Sequence, residues 1–143
     1  MILIDVNLLL YAYNSAAPEH SVARQWLEET FSNPEPVLLP WTTVLGFLRI
    51  VTSPKVWSQP LLISQAVEIV DSWLSLPNVT VIQAGDRHWP ILRELLPASQ
   101  SRGALVPDAH LAALAIEHGA VLFTNDRDFA RYDGVRIANP LEA

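Results

Sequence analysis

Met1-Ile2-Leu3-Ile4-Asp5-Val6-Asn7 opens this chain, and its reading decides the fold. A short apolar run is closed by an acid and passes straight into further apolar sequence ending at Tyr13. That pattern is a buried strand, Met1–Ile4, feeding a helix over Val6–Tyr13. Ala120-Val121-Leu122-Phe123-Thr124-Asn125-Asp126 repeats it late in the chain, with a strand over Val121–Thr124. Short continuous apolar strands belong to parallel sheets whose two faces are both covered by helices.

The stretches between fit that scheme. Asn14-Ser15-Ala16-Ala17-Pro18 is a turn. Glu19–Phe31 is a helix with Val22, Ala23, Trp26, Leu27 and Thr30 on one face, and Asn33-Pro34-Glu35-Pro36 ends it. Val37–Leu39 is a strand, Trp41–Val51 a helix, and Thr52-Ser53-Pro54 with Trp57-Ser58-Gln59-Pro60 a loop. Ser64 caps a helix to Leu76 with Val67, Val70, Trp73 and Leu74 facing inward. Val79–Ile82 is a third strand, and Asp86 caps a helix carrying Trp89, Leu92 and Leu96. Asp108–His118 is a helix stopped by Gly119, and Val135–Ala138 supplies a fifth strand. Trp41, Trp57, Trp73 and Trp89 are evenly spaced by 16, but their neighbours differ in every register, so no repeat is implied.

At 143 residues the chain reads as a single domain, 1–143, able to bury a real core. It contains no cysteine, which excludes disulfides and zinc–thiolate sites. No apolar run approaches the roughly 18 residues of a membrane span, and the apolar start lacks a basic n-region. A cytoplasmic protein with no membrane attachment is expected. Fifteen acidic against nine basic residues give a net charge of −6. Bulk attraction to nucleic acid is thereby excluded, though not an enzyme whose acidic cluster acts on it. Eight of the nine basic residues are arginines, and Arg102, Arg127, Arg131 and Arg136 lie in the C-terminal third. They suit phosphate recognition, or equally ordinary surface ion pairs.

Asp5 and Asp126 stand at the carboxyl ends of strands, and Asp108 follows Leu105-Val106-Pro107 at a helix start. Ligands of open parallel sheets bind beyond those strand ends, so the topology would put all three acids on one edge. Gathered carboxylates raise one another's pKa, and a hard cation such as Mg²⁺ relieves that cost. Each aspartate taken singly is also a plain helix N-cap worth about 1 kcal/mol, but three caps need not share one rim. Asn7 and Thr124 are each two residues from an acid and placed to orient a carboxylate or a metal-bound water. Asp128 is either a fourth acid or the cap of an Asp128–Arg131 turn. The four histidines, His20, His88, His110 and His118, offer no metal-ligand spacing. Gly-rich phosphate loops and a Gly-x-Ser-x-Gly elbow are absent.

In Ile2-Leu-Ile-Asp5-Val-Asn7, Asp108-Ala-His-Leu-Ala-Ala-Leu-Ala-Ile-Glu-His-Gly119 and Thr124-Asn-Asp126-Arg-Asp128-Phe129, the chain resembles the PIN-domain ribonucleases, and among them the VapC toxins. The resemblance implies a three-layer α/β/α sandwich with a central, mainly parallel sheet. It also implies Mg²⁺ (or Mn²⁺) dependence, endonucleolytic cutting of an RNA substrate, a homodimer, and neutralisation by a VapB-like antitoxin. Asp5, Asp108 and Asp126 match three of the family's four acids, as catalytic and metal-binding residues. Gly46 falls where the fourth, a glutamate, is expected, and no other acid lies between Val37 and Val51.

That departure leaves a rival of another class: a catalytically impaired PIN-fold protein that binds RNA or antitoxin without cutting. A phosphatase of the haloacid-dehalogenase type fits less well. It would need an aspartate at position 7 and a downstream lysine, whereas Asn7 stands there and Lys55 is the sole lysine. The helices around Trp41–Val51 and Ser64–Leu76, with Val56 and Trp57, carry more apolar bulk than a small sheet needs. They offer the contact surface of a dimer, or else simply fill the core.

Overall fold

The computed structural model describes residues 1–142. The strands are β1 (Ile2–Ile4), β2 (Val37–Pro40), β3 (Val79–Ile82), β4 (Val121–Phe123) and β5 (Arg136–Ala138). They form one sheet in the order β3-β2-β1-β4-β5, parallel throughout. The helices are α1 (Val6–Tyr13), α2 (His20–Ser32), α3 (Trp41–Val51), α4 (Ile63–Leu74), α5 (His88–Ala98) and α6 (Leu105–His118). A 3₁₀ turn, Arg127–Arg131, follows β4.

The sheet divides the core in two. On one face Ile2, Ile4, Val37 and Leu39 meet α1 to α4, centred on Trp73, Phe47, Leu8 and Leu9. The other face sets Leu3, Leu38 and Leu122 against α5 and α6. These are the three layers that the resemblance implies. β1 is buried on both faces, as its unbroken apolar run requires, whereas β3 at one edge buries only its ends, Val79 toward one core and Ile82 toward the other, and exposes Thr80. Each fully buried leucine contributes about 1.5–3 kcal/mol relative to exposure. α6 buries Ala109 and every residue from Leu111 to Ala115, because its small alanines allow it to wedge between α5 and the sheet. Gly119 ends it at φ 65°, the left-handed position that a C-terminal glycine serves.

Several local expectations are corrected. Ser64 does not cap α4: the helix begins at Ile63, and the Gln65 side chain accepts the Leu62 N–H at 2.9 Å. Asp86 does not cap α5, which begins at His88; Glu117, reaching over from α6, accepts the Gly85 and Arg87 N–H groups instead, at 2.9 and 3.0 Å. α6 starts at Leu105, so Asp108 lies inside its first turn rather than at its edge. Pro107 is tolerated there because first-turn N–H groups have no helical partner. Val22 and Val67 face solvent, while Ala23, Leu27, Val70 and Trp73 are buried as expected. The evenly spaced tryptophans have unlike roles: Trp73 is core, with Nε1 donating to Tyr13 Oη at 3.0 Å, and Trp41 and Trp89 are exposed.

Candidate active site

Asp5 leaves β1 and stands just before α1 with an extended backbone, the position of an N-cap. Its carboxylate makes no capping hydrogen bond to the first turn of α1. Thr124, the residue after neighbouring β4, donates from Oγ1 to Asp5 Oδ2 at 2.7 Å. The same hydroxyl accepts the Asp126 N–H at 3.0 Å, so one buried threonine ties the ends of both central strands together. The Asp5 N–H donates to Phe123 O at 3.0 Å, completing the β1–β4 junction.

Burial, followed by the charges of Asp108 and Asp126, pushes the Asp5 pKa up to about 6 against the lowering effects of the Thr124 hydrogen bond and of the adjacent Val6 N–H. Asp108 is also raised, first by burial and then by Asp126 and Asp128, with Arg131 opposing. Asp5 and Asp126 stand just after the neighbouring strands β1 and β4, and Asp108, in the first turn of α6, is near enough for its charge to act on Asp5. Asp126 additionally caps the 3₁₀ turn, its Oδ1 accepting the Asp128 N–H at 2.9 Å. The plain capping role therefore holds for Asp126 and fails for Asp5. Asp128 is not the cap of that turn, and its charge acts on Asp108.

The supporting residues divide as well. Thr124 orients a carboxylate, as expected, but the one it donates to is that of Asp5 rather than of its near neighbour Asp126. Asn7 lies within α1 with Oδ1 buried and unbonded, close in sequence to Asp5. Of the arginines, Arg131 is near enough to Asp108 to lower its pKa. Arg127 pairs with Glu142 at 3.0 Å, and Arg136 donates to Gly119 O at 2.9 Å. Gly46 sits on α3 facing the start of α1, and a Cβ there would meet Val6 Cγ2 at 3.6 Å, ordinary contact. Close packing does not dictate the glycine.

Among the described residues no three His, Cys, Asp or Glu side chains form a ready-made metal cage. The donor set nevertheless fits a Mg²⁺-like ion. Such an ion keeps several waters and is held by one or two carboxylates together with substrate phosphate, rather than by an all-protein cage. A buried carboxylate with a raised pKa and two acids acting on it favour a cation there, and Asn7, two residues after Asp5, has a buried amide oxygen without a hydrogen-bond partner.

Sequence reasoning missed a second polar group. His88, buried against α6, bonds through Nε2 to His110 Nδ1 at 2.8 Å, and its Nδ1 lies 4.0 Å from Glu117 Oε1. The histidine spacing along the chain hid the pair, because its members come from different helices. Burial and then His88 hold the His110 pKa below the usual histidine range.

The PIN-domain family model matches residues 2–135. Ribonuclease VapC48 of Mycobacterium tuberculosis is 39% identical over 137 residues, covering 95% of this chain and 94% of that one. Ribonuclease VapC33 of the same organism is 39% identical over 141 residues, covering 99% of each. Among solved structures, VapBC2 from Rickettsia felis bound to a promoter DNA fragment superposes with a TM-score of 0.71 at 21% identity, covering 97% and 98% of the two chains. That likeness is one of fold.

Proposed function

We propose that this chain, which belongs to the PIN-domain family, hydrolyses RNA phosphodiester bonds as the toxin of a toxin–antitoxin pair. Its relatives are named ribonucleases over nearly their whole length. The observation that carries the reading is the Asp5 carboxylate: buried, tied to Thr124 rather than spent on its own helix, and raised in pKa beside Asp108 and Asp126.

Asp5 and Asp108 would hold Mg²⁺ or Mn²⁺, with Asp126 binding directly or through water. When bound, the ion supplies Lewis acidity and a water of lowered pKa for in-line attack at phosphorus. Thr124 keeps one Asp5 oxygen engaged, which fixes the direction in which the other faces. Asp126 receives its orientation from the backbone it caps. Arg131, opposite Asp108, is positioned to meet phosphate charge.

Cleavage of structured RNA tests this, with wild type compared against Asp5→Asn and Asp108→Asn in Mg²⁺ or Mn²⁺. Loss of at least a hundredfold in rate is expected for either variant and on chelation. Activity that survives either substitution, or chelation, overturns the mechanism. Gly46 supports a second reading, a PIN fold that holds RNA or antitoxin without cutting, since glycine there removes the expected fourth acid although a side chain fits. Calorimetric titration with Mn²⁺ separates the two, because a decayed site binds none.

A VapB-like antitoxin is the proposed partner, as the VapBC2 neighbour is named for a toxin–antitoxin pair. Leu45, Leu62, Ile63 and Val67 are exposed on α3 and α4 and form the proposed homodimer surface. Light scattering after size exclusion reads the mass directly. Among the described residues no helix is long and apolar enough to cross a membrane. The cytoplasm, where RNA and its ribosomes are found, is the proposed location.

A further inference from the structure

We infer that a cavity beside the acid rim, between the start of α3 and one face of α6, is a binding subsite for a single unpaired nucleobase. The inference rests on the ribonuclease reading above and names where the chain would grip its substrate. The cavity, about 210 Å³, is lined by Trp41, Thr42, Ile82, Gln83, His110 and Leu114 among others.

Its place follows from strand register. Ile2 pairs with Val37 and Leu3 with Leu38, and continuing that register brings Pro40, which lines the cavity, level with Asp5. Neighbouring strands lie about 4.8 Å apart, so the cavity begins one strand away from the buried carboxylate. The Thr43 hydroxyl donates to Ile4 O at 3.4 Å and fastens the start of α3 to the end of β1. On the other wall, His110 comes two residues after Asp108 on α6, so the two side chains leave different faces of the helix, and His110 turns to the cavity and to His88 of α5. A phosphodiester held at the acids would leave an adjacent nucleotide at this opening.

The lining suits a base. Single-stranded RNA is recognised by stacking splayed bases on aromatic rings and by hydrogen bonds to their edges. Trp41 is 48% exposed, a large indole left in water at the cavity mouth. Gln83 and Thr42 are exposed too and offer both donors and acceptors. His110 is held by a chain running inward: its Nδ1 bonds to His88, His88 faces Glu117, and Glu117 is fixed by the Gly85 and Arg87 N–H groups. His88 Nδ1 itself has no hydrogen-bond partner, so the contact that fixes the His110 ring at the cavity is the one from His88 Nε2.

The test has two arms. In the first, the rate and end sequences of a randomised RNA pool cut with Mn²⁺ are compared for wild type, Trp41→Ala, Trp41→Phe and Gln83→Ala. Trp41→Ala is expected to raise KM about tenfold or more with kcat little changed, Trp41→Phe to restore most of it, and Gln83→Ala to flatten the base preference at one position beside the cut. In the second, a single-stranded RNA oligomer is titrated into Asp5→Asn, with and without Trp41→Ala, and tryptophan fluorescence is followed. Quenching that disappears with Trp41 supports the subsite even should wild type cut no RNA, an outcome that would sink the ribonuclease reading alone. Unchanged KM, cut pattern and quenching in Trp41→Ala overturn the subsite. So does a Trp41→Ala protein that cuts normally but escapes its antitoxin, which would make the cavity a protein-docking face.

Discussion

The hydroxyl of Thr124 donates to the Asp5 carboxylate at 2.7 Å across 119 positions of chain, and accepts the Asp126 N–H with the same oxygen. One side chain therefore sets the relative placement of two acids carried by different strands. Thr124→Val keeps the volume and removes both bonds. The expected result is a cleavage rate lower by about 10–100-fold, in line with loss of a partner that orients a metal ligand. A stability loss of about 1–2 kcal/mol in urea melts should accompany it, since the Asp126 N–H loses its acceptor. Thr124→Ser should recover most of the activity, and a fully active Thr124→Val would show that the bridge has no role.

The raised Asp5 pKa has a definite sign in stability. Folding makes this carboxyl easier to protonate, so its contribution is present at acid pH and is lost as pH rises through about 6. A shift of this size corresponds to roughly 3 kcal/mol, reduced to about 1–2 by relaxation and water at the rim. In chelator near about pH 8, Asp5→Asn should therefore melt above wild type, and the gap should close toward about pH 4. Mn²⁺ should raise the wild-type Tm at the higher pH and leave the variant unmoved. Equal melting of the two proteins in chelator at the higher pH would refute the assignment.

Gly46 makes a separable prediction. Since a Cβ there has room against Val6 Cγ2 at 3.6 Å, Gly46→Ala should stabilise the protein by about 0.5–1 kcal/mol through helix propensity alone. Gly46→Glu adds a carboxylate facing the start of α1 and is expected to tighten Mn²⁺ binding severalfold in calorimetry. Weaker binding would mean that the position does not face the acids.

Glu117 holds the start of α5 from a neighbouring helix, through the Gly85 and Arg87 N–H groups. Glu117→Ala should cost about 1–2 kcal/mol, as for an ordinary N-cap, and should speed amide exchange at Gly85 and Arg87. Unaltered exchange at those two amides would rule out the cap.

Strand positions, the parallel sheet and the placing of Asp5 and Asp126 at strand ends were legible because each leaves a local mark: an unbroken apolar run, or an acid shortly after it. Gly119 was legible for the same reason. The starts of α4 and α5 were not. Ser64 and Asp86 look like caps, yet Gln65 and the distant Glu117 satisfy those N–H groups, and nothing near residue 86 announces a partner from α6. The His88–His110 pair escaped because helix packing, rather than spacing along one helix, brings the rings together. The sequence sets Thr124 two residues before Asp126, but its hydroxyl donates to Asp5, a partner that only the pairing of β1 with β4 brings near.

Because β1 completes its pairing only when β4 lies alongside, the rim cannot assemble until the chain as far as Asp126 has left the ribosome. Nascent chains emerge at about 5–20 residues per second, so the earlier segments wait several seconds with Asp5 lacking its companions. The rim therefore cannot act before β4 and the turn that follows it have been made.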